Sequence, residues 1–396
     1  MAALDENTTA SNNIGIGVSA LGATTTGQRN VAVGTTALGA NTTANDNTAV
    51  GKDALLTNTT GIQNVAVGSL ALDANTTSNN NTAVGYSALT SNTTGTRNTA
   101  VGTLTLQSIT DGTNSTAVGY EALYYSTGSS NTAVGARCLD ANTTGQQNVA
   151  VGEHALGSNT TASNNVAVGT SALLSNTTGT KNVAVGNFSL DSNTTADNNT
   201  AVGYAALDAN TTGANNTAVG AYALDANTTG SFNDAFGRSA LTSNTTGVYN
   251  VAVGYGALQS NTTSNSNTAL GHQTLQVNTG TENVAVGTNG LVSNTTGVQN
   301  TAVGTWSLDA NTTADRNTAV GYNTLTVNTT GTQNNALGAY ALQSVTTGSH
   351  NVGAGYNAGG SITTGSSNVA VGNFALDATT TASNNSAFGL SSLGAN

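Results

Sequence analysis

Residues 81–102 read NTAVGYSALTSNTTGTRNTAVG, and their apolar and polar letters fall in a fixed order. A T/V-A-V run comes first, then a glycine, then a short segment closing on Ala-Leu. A polar stretch of Asn, Thr and Gly leads back to the next T/V-A-V. The order recurs along the whole chain, so the period is the primary signal. The glycine that ends each run sets the register: 23 of them stand from Gly17 to Gly389, 20 of their 22 spacings being 17 residues and two being 16. The short spacings fall where the NTTG segment has lost a residue, at Ser126-Thr127-Gly128 and Asn278-Thr279-Gly280. A segment that changes length without disturbing the rest of the repeat reads as a turn. Leu stands four residues after the glycine except at Gly359, Asn four before it except at Ser115, and Thr eight after it from Thr25 to Thr380.

These columns predict an all-β fold. Asn, Thr, Val and Gly are poor helix formers, and the repeat has no 3.6-residue apolar rhythm. Collagen needs glycine at every third residue and abundant proline, whereas this chain has no proline. Propeller blades and leucine-rich repeats need longer periods. What remains is a parallel β-solenoid (β-roll) of about 23 coils with a 17-residue repeat, expected as a single domain over residues 1–396 without caps. At about 4.8 Å per coil it would make a rod roughly 110 Å long.

Within a coil, Thr82 and Val84 point to one face of the strand and Ala83 to the other. Two β-branched side chains on one face read as core together with Leu89, and Ser87 reads as outside. The glycine column allows positive φ or close approach to another surface. Eight repeats carry Ala or Ser where the others have the turn glycine, as at Ala44, Ser78 and Ala196, and Asn, Asp or Ser then follows. Asn and Asp tolerate the left-handed region, which predicts a turn that slides by one residue. The Asn column from Asn81 to Asn98 and onward predicts stacked side-chain amides.

Composition narrows the function. Charged residues are 6% of the chain, against roughly 25% in ordinary soluble domains, yet the fixed β-branched columns argue for order. A net charge of −11 with only seven scattered Lys and Arg speaks against nucleic acid and anionic membranes. Cys138 is alone and reads as a buried thiol. The opening MAALDENTTA has neither the basic start nor the apolar run of a signal peptide, and no 18-residue apolar run offers a membrane span.

Catalysis needs a few unlike groups converging on one place, and the repeat offers columns instead. His154, His272 and His350 stand at three different registers and read as exposed turn residues. GAGYNAGG at 353–360 reads as a degenerate coil, because its third glycine is late for a dinucleotide loop. Asp191, Asp208 and Asp225 share one register in successive coils and form a weak candidate for a cation; otherwise no metal and no cofactor are expected. Most aromatic residues fall one or two positions after the column glycine, on one edge: Tyr86, Tyr120, Tyr204, Tyr255, Trp306, Tyr322 and Tyr356 are the candidate binding residues, with Phe188, Tyr222, Tyr340 and Phe374 beside them. Such an edge suits sugars or a host surface, and equally a subunit interface.

NTAVG and NVAVG resemble the SVAIG motif of trimeric autotransporter adhesin heads, which are trimeric left-handed β-rolls. The wider NTAVG…AL…NTTG pattern resembles repetitive phage tail-fibre and surface-fibre proteins. The resemblance implies a homotrimeric, extracellular, adhesive or structural fibre on a cell surface or virion, with a glycan or protein receptor as partner. Ala on the second strand face, small enough for close packing, also favours a trimer. Leu4 and Leu393 stand at the same register, which favours end-to-end filaments or an excerpt from a longer fibre. The alternative is an ice-binding β-solenoid using the Thr ladder; an enzyme comes third.

Overall fold

The computed structural model describes residues 2–394, built from strands and turns with no helix among them. Two compact units divide the chain, Met1–Asn198 and Asn199–Asn396. The first holds eleven strands, β1 (Ile14–Ile16) to β11 (Val183–Val185), and the second twelve, β12 (Thr200–Val202) to β23 (Ser386–Phe388). Strands are three residues long and pair in parallel with the strand one coil away, as β5 (Thr82–Val84) pairs with β6 (Thr99–Val101) through Thr82↔Thr99, Ala83↔Ala100 and Val84↔Val101. Each unit is therefore a parallel β-solenoid, as the period predicts. The bonding continues past the strands: Thr82 N–H donates to Asn98 O at 2.9 Å and Leu89 N–H to Thr105 O at 3.0 Å. Proline would leave a gap in such a stack.

The strand alternates, but with the opposite face inward from the one expected. Ala83 and Ala100 are fully buried, whereas Thr82 and Val84 are half-buried and Val101 is 37% exposed. Leu89 is fully buried, as expected. Room decides between the faces. Where Gly353 replaces the strand alanine, a Cβ would lie 2.8 Å from Cγ of Leu342, the column leucine of the preceding repeat. The side chain beneath the strand thus meets the leucine that precedes it, and the space there leaves no room for anything larger than a methyl. Ser87 is also corrected: it is 5% exposed and sits inside the coil wall.

Left-handed backbone recurs in each coil. Gly85 has φ +140°, and a Cβ on Gly51 would lie 2.5 Å from the carbonyl oxygen of Gly68, so this column needs glycine both for its φ and for close approach. More unusual are Ser87 (φ 52°), Leu89 (φ 54°) and Arg97 (φ 58°), which repeat at two, four and twelve residues after the register glycine. Each such non-glycine residue costs on the order of 1 kcal/mol, offset by bonds to adjacent coils.

Two asparagine ladders line the interior. At the expected one, Asn98 N–H donates to Asn81 Oδ1 at 2.9 Å, and Asn81 Nδ2 donates to Gly95 O at 2.9 Å. The second, seven residues after the register glycine, runs side chain to side chain: Asn75 Nδ2 donates to Asn58 Oδ1 at 2.8 Å. The turn does not slide where its glycine is missing. The left-handed residue stays twelve after the register glycine in both kinds of coil, at Asp46 beyond Ala44 and at Arg97 beyond Gly95. The polar residue after Ala or Ser does different work, accepting a backbone bond from the preceding coil: Gln28 N–H donates to Asn45 Oδ1 at 2.7 Å, Ile62 N–H to Asn79 Oδ1 at 2.7 Å, and Thr180 N–H to Asp197 Oδ1 at 2.6 Å.

Candidate functional site

The aromatic edge is longest in the second unit. Trp306, Tyr322, Tyr340, Tyr356 and Phe374 come from five consecutive coils and meet in four edge-to-face contacts, with ring centroids 5.6, 5.5, 5.6 and 5.3 Å apart. Register dictates the geometry. The five rings alternate between two and one residues after the column glycine, so each meets the next at a slant; Tyr204 and Tyr222 do the same at 5.4 Å. Rings at one register stack instead: Tyr255 on His272 at 18°, and Phe232 on Tyr249 at 12° on a different corner. Edge-to-face and offset stacks each contribute about 1 kcal/mol beyond their burial. Trp306 at 39%, Tyr322 at 41% and Tyr356 at 46% exposure still turn much of their surface to solvent.

The other candidates do not join this run. Tyr86 has Ser69 and Thr103 at the matching positions of the adjacent coils, so no aromatic neighbour stands beside it there. Tyr120 instead carries a cation, with the Arg137 guanidinium 5.8 Å from its ring centroid. Tyr340 and Phe374, second-rank residues by their letters, complete the ladder because stacking carries them between Tyr322 and Tyr356 and beyond. Phe232 and Tyr249 lie outside the predicted edge; their shared register, 17 residues apart, is the signal that finds them.

Asp191 falls in the first unit and Asp208 and Asp225 in the second. Burial, and secondarily the Asp225 charge, holds the Asp208 carboxyl above its ordinary value. Asp225 is engaged by Thr242, whose Oγ1 donates to its Oδ1 at 2.6 Å. Among the described residues no group of three His, Cys, Asp or Glu is placed to share a metal ion. Cys138 is buried in a position where most coils have alanine, and desolvation pushes its thiol up to about 12. GAGYNAGG is a coil, with Gly355 at the register position and the buried Ile362 beside Gly359, where the column leucine is missing. No protein-family model matches the chain, and no curated protein matches it.

Proposed function

We propose that the chain is a non-enzymatic structural and adhesive segment of an extracellular fibre, carried on a cell surface or virion as its likeness to adhesin heads and tail fibres implies. The observation that carries this reading is the Trp306–Phe374 ladder. Five large rings in consecutive coils remain partly exposed on a backbone that repeats with little variation. Aromatic groups held rigidly at regular spacing give a partner large contact area at little entropic cost, the property of interface hot spots. Regular columns also suit a scaffold better than a catalytic site, which needs convergent unlike groups.

Self-association belongs to the same proposal, but its basis moves. Ala83 is enclosed in its own coil and cannot pack against another chain. The outward Val column, exemplified by Val101, Val118, Val134 and Val151, supplies the apolar surface for a homo-oligomer, with a trimer as the adhesin-like assembly. A monomeric mass by light scattering at micromolar concentration would reject it. For adhesion, beads coated with the chain should bind host cells or immobilised glycans, and replacing Tyr340 and Tyr356 by Ser should cut binding at least tenfold without moving the thermal transition. Equal binding by the variant would sink the adhesive role of the ladder.

One observation keeps the ice-binding reading alive. Thr26, Thr43, Thr60, Thr77 and Thr94 occupy one register in five consecutive coils, all exposed. Their neighbours at the preceding position are spent inside the stack, as Thr93 Oγ1 donates to Thr110 O at 3.1 Å. Thermal hysteresis that vanishes on Thr60→Val and Thr77→Val together would favour ice; no hysteresis at millimolar protein removes this reading.

A further inference from the structure

Three consecutive coils of the first unit, those of Gly119, Gly135 and Gly152, carry an unusual set of side chains at their outer positions. A recess of about 310 Å³ opens on them, lined by Glu121, Tyr124, Tyr125, Arg137, Asp140 and His154. Three registers build it. Glu121, Arg137 and His154 each stand two residues after a register glycine, in left-handed backbone at φ 54°, 53° and 57°. Tyr124 and Asp140 stand five after, and Tyr125 six. The stack thus turns three scattered sequence positions into one wall of the recess and a second set into the rest of its lining. The Tyr125 N–H donates to Asp140 O at 3.1 Å, which holds adjacent coils of that second set in register.

The side chains are positioned and unlike. Arg137 Nε donates to Glu121 Oε2 at 3.1 Å while its guanidinium rests over Tyr120, so it is held from two sides with further N–H groups to offer. Tyr124 and Tyr125 meet edge to face, centroids 4.6 Å apart at 86°, which leaves the two ring faces turned in perpendicular directions. Tyr125 is 59% exposed. Asp140 is half-buried, and that burial raises its carboxyl above the ordinary range, with His154 acting in the opposite sense.

This combination selects a ligand class. Glu121 and Arg137 offset each other, leaving the Asp140 carboxyl without a cation in direct contact, so a free anion such as phosphate gains little here. A sugar ring presents an apolar C–H face for a tyrosine and hydroxyls that both donate and accept. The volume is at the small end for ligand pockets, suited to one ring. We infer that this recess binds a neutral pyranose, with Tyr125 stacked on its apolar face, Asp140 and Glu121 accepting from hydroxyls, and Arg137 donating to ring or hydroxyl oxygens. The site is separate from the Trp306–Phe374 ladder and stands or falls without it.

Saturation-transfer NMR on the full chain with the methyl glycosides of glucose, galactose, mannose and N-acetylglucosamine tests it. At least one should receive transfer saturably, with a Kd of roughly 1 mM. Tyr125→Ala and Asp140→Asn should each weaken that binding about tenfold, the scale of one stacking or charged hydrogen-bond contact. Tyr249→Ala, an equally exposed ring on a different corner, should leave it unchanged. Tyr125 lies at the surface, so its variant keeps the fold and remains informative if Asp140→Asn does not. The inference is overturned by no transfer to any glycoside at about fifty times that Kd, or by undiminished transfer in folded Tyr125→Ala. It is equally overturned if tetramethylammonium binds and no glycoside does, which would make the recess a cation cage.

Discussion

The two asparagine ladders use one residue type in one interior, and their tolerance to change is opposite. The ladder before the strand admits a single exception, Ser115; the ladder seven residues after the register glycine admits Thr24, Ile109, Ser126, Val345, Ile362 and Thr379, the first five of them fully buried. The bonds explain the contrast. Before the strand, each amide oxygen accepts the backbone N–H of the next coil, as Asn250 N–H donates to Asn233 Oδ1 at 3.0 Å. Ser115 retains that acceptor, taking Asn131 N–H on its Oγ at 3.4 Å. The other ladder bonds mainly to itself and to a turn carbonyl already served by the first: beside Ile109, Gly112 O still receives Asn98 Nδ2 at 2.8 Å. A buried side chain is held fixed when a backbone group depends on it, and is free to become apolar when the dependence is redundant.

Four substitutions put numbers on that difference, read by thermal melting and by hydrogen exchange at the affected coil. Asn233→Ala should be the most damaging, at about 3 kcal/mol, because it strands a buried backbone donor and leaves a void. Asn233→Ser should recover about half of that loss by restoring an acceptor. Asn227→Ile, in the tolerant ladder, should cost about 1 kcal/mol or less, since Gly230 O keeps Asn216 Nδ2 at 2.8 Å. Losses from Asn227→Ile that match Asn233→Ala would break the contrast. The smallest effect belongs to Ile109→Asn. Asn92 Oδ1 is buried without a donor where the ladder stops at Ile109, so the new amide should compensate for lost apolar burial to within about 0.5 kcal/mol. Protection of the neighbouring amides that collapses in this variant would show that Ile109 is not interchangeable.

Much of the coil was legible because repeats within one chain act as parallel trials of the same position. The period yielded the parallel solenoid, the leucine column yielded Leu89 as core, and the column before the strand yielded its ladder. The inward strand face went wrong because hydrophobicity ranks Val above Ala, whereas the interior has no room for more than a methyl against the leucine of the preceding repeat. A usable signal was present: the middle strand position is Ala or Gly throughout, while the flanking positions accept Asp234, Asn335, Phe236 and Leu337. Variation marked the outside. The second ladder was missed because its letters sit in NTT, which reads as turn. For the sites, the aromatic edge was visible but its continuity was not, since that depends on alternation between two registers. The recess at Glu121 to His154 was invisible because its walls come from residues up to 33 apart that share no motif.

The left-handed leucines have a consequence for how the molecule is made. A lone coil would hold Ser87, Leu89 and Arg97 in unfavourable backbone with nothing to offset them, because the compensating bonds reach residues about 17 positions away, as from Leu89 N–H to Thr105 O. The first productive event must therefore close two or more coils at once, an unfavourable nucleus. Afterwards every incoming repeat meets a finished edge that imposes its dihedral angles, and only a short loop has to close. Growth of this kind is templated elongation: slow to start, quick to extend, and reliant on sequence-local contacts that keep later steps fast.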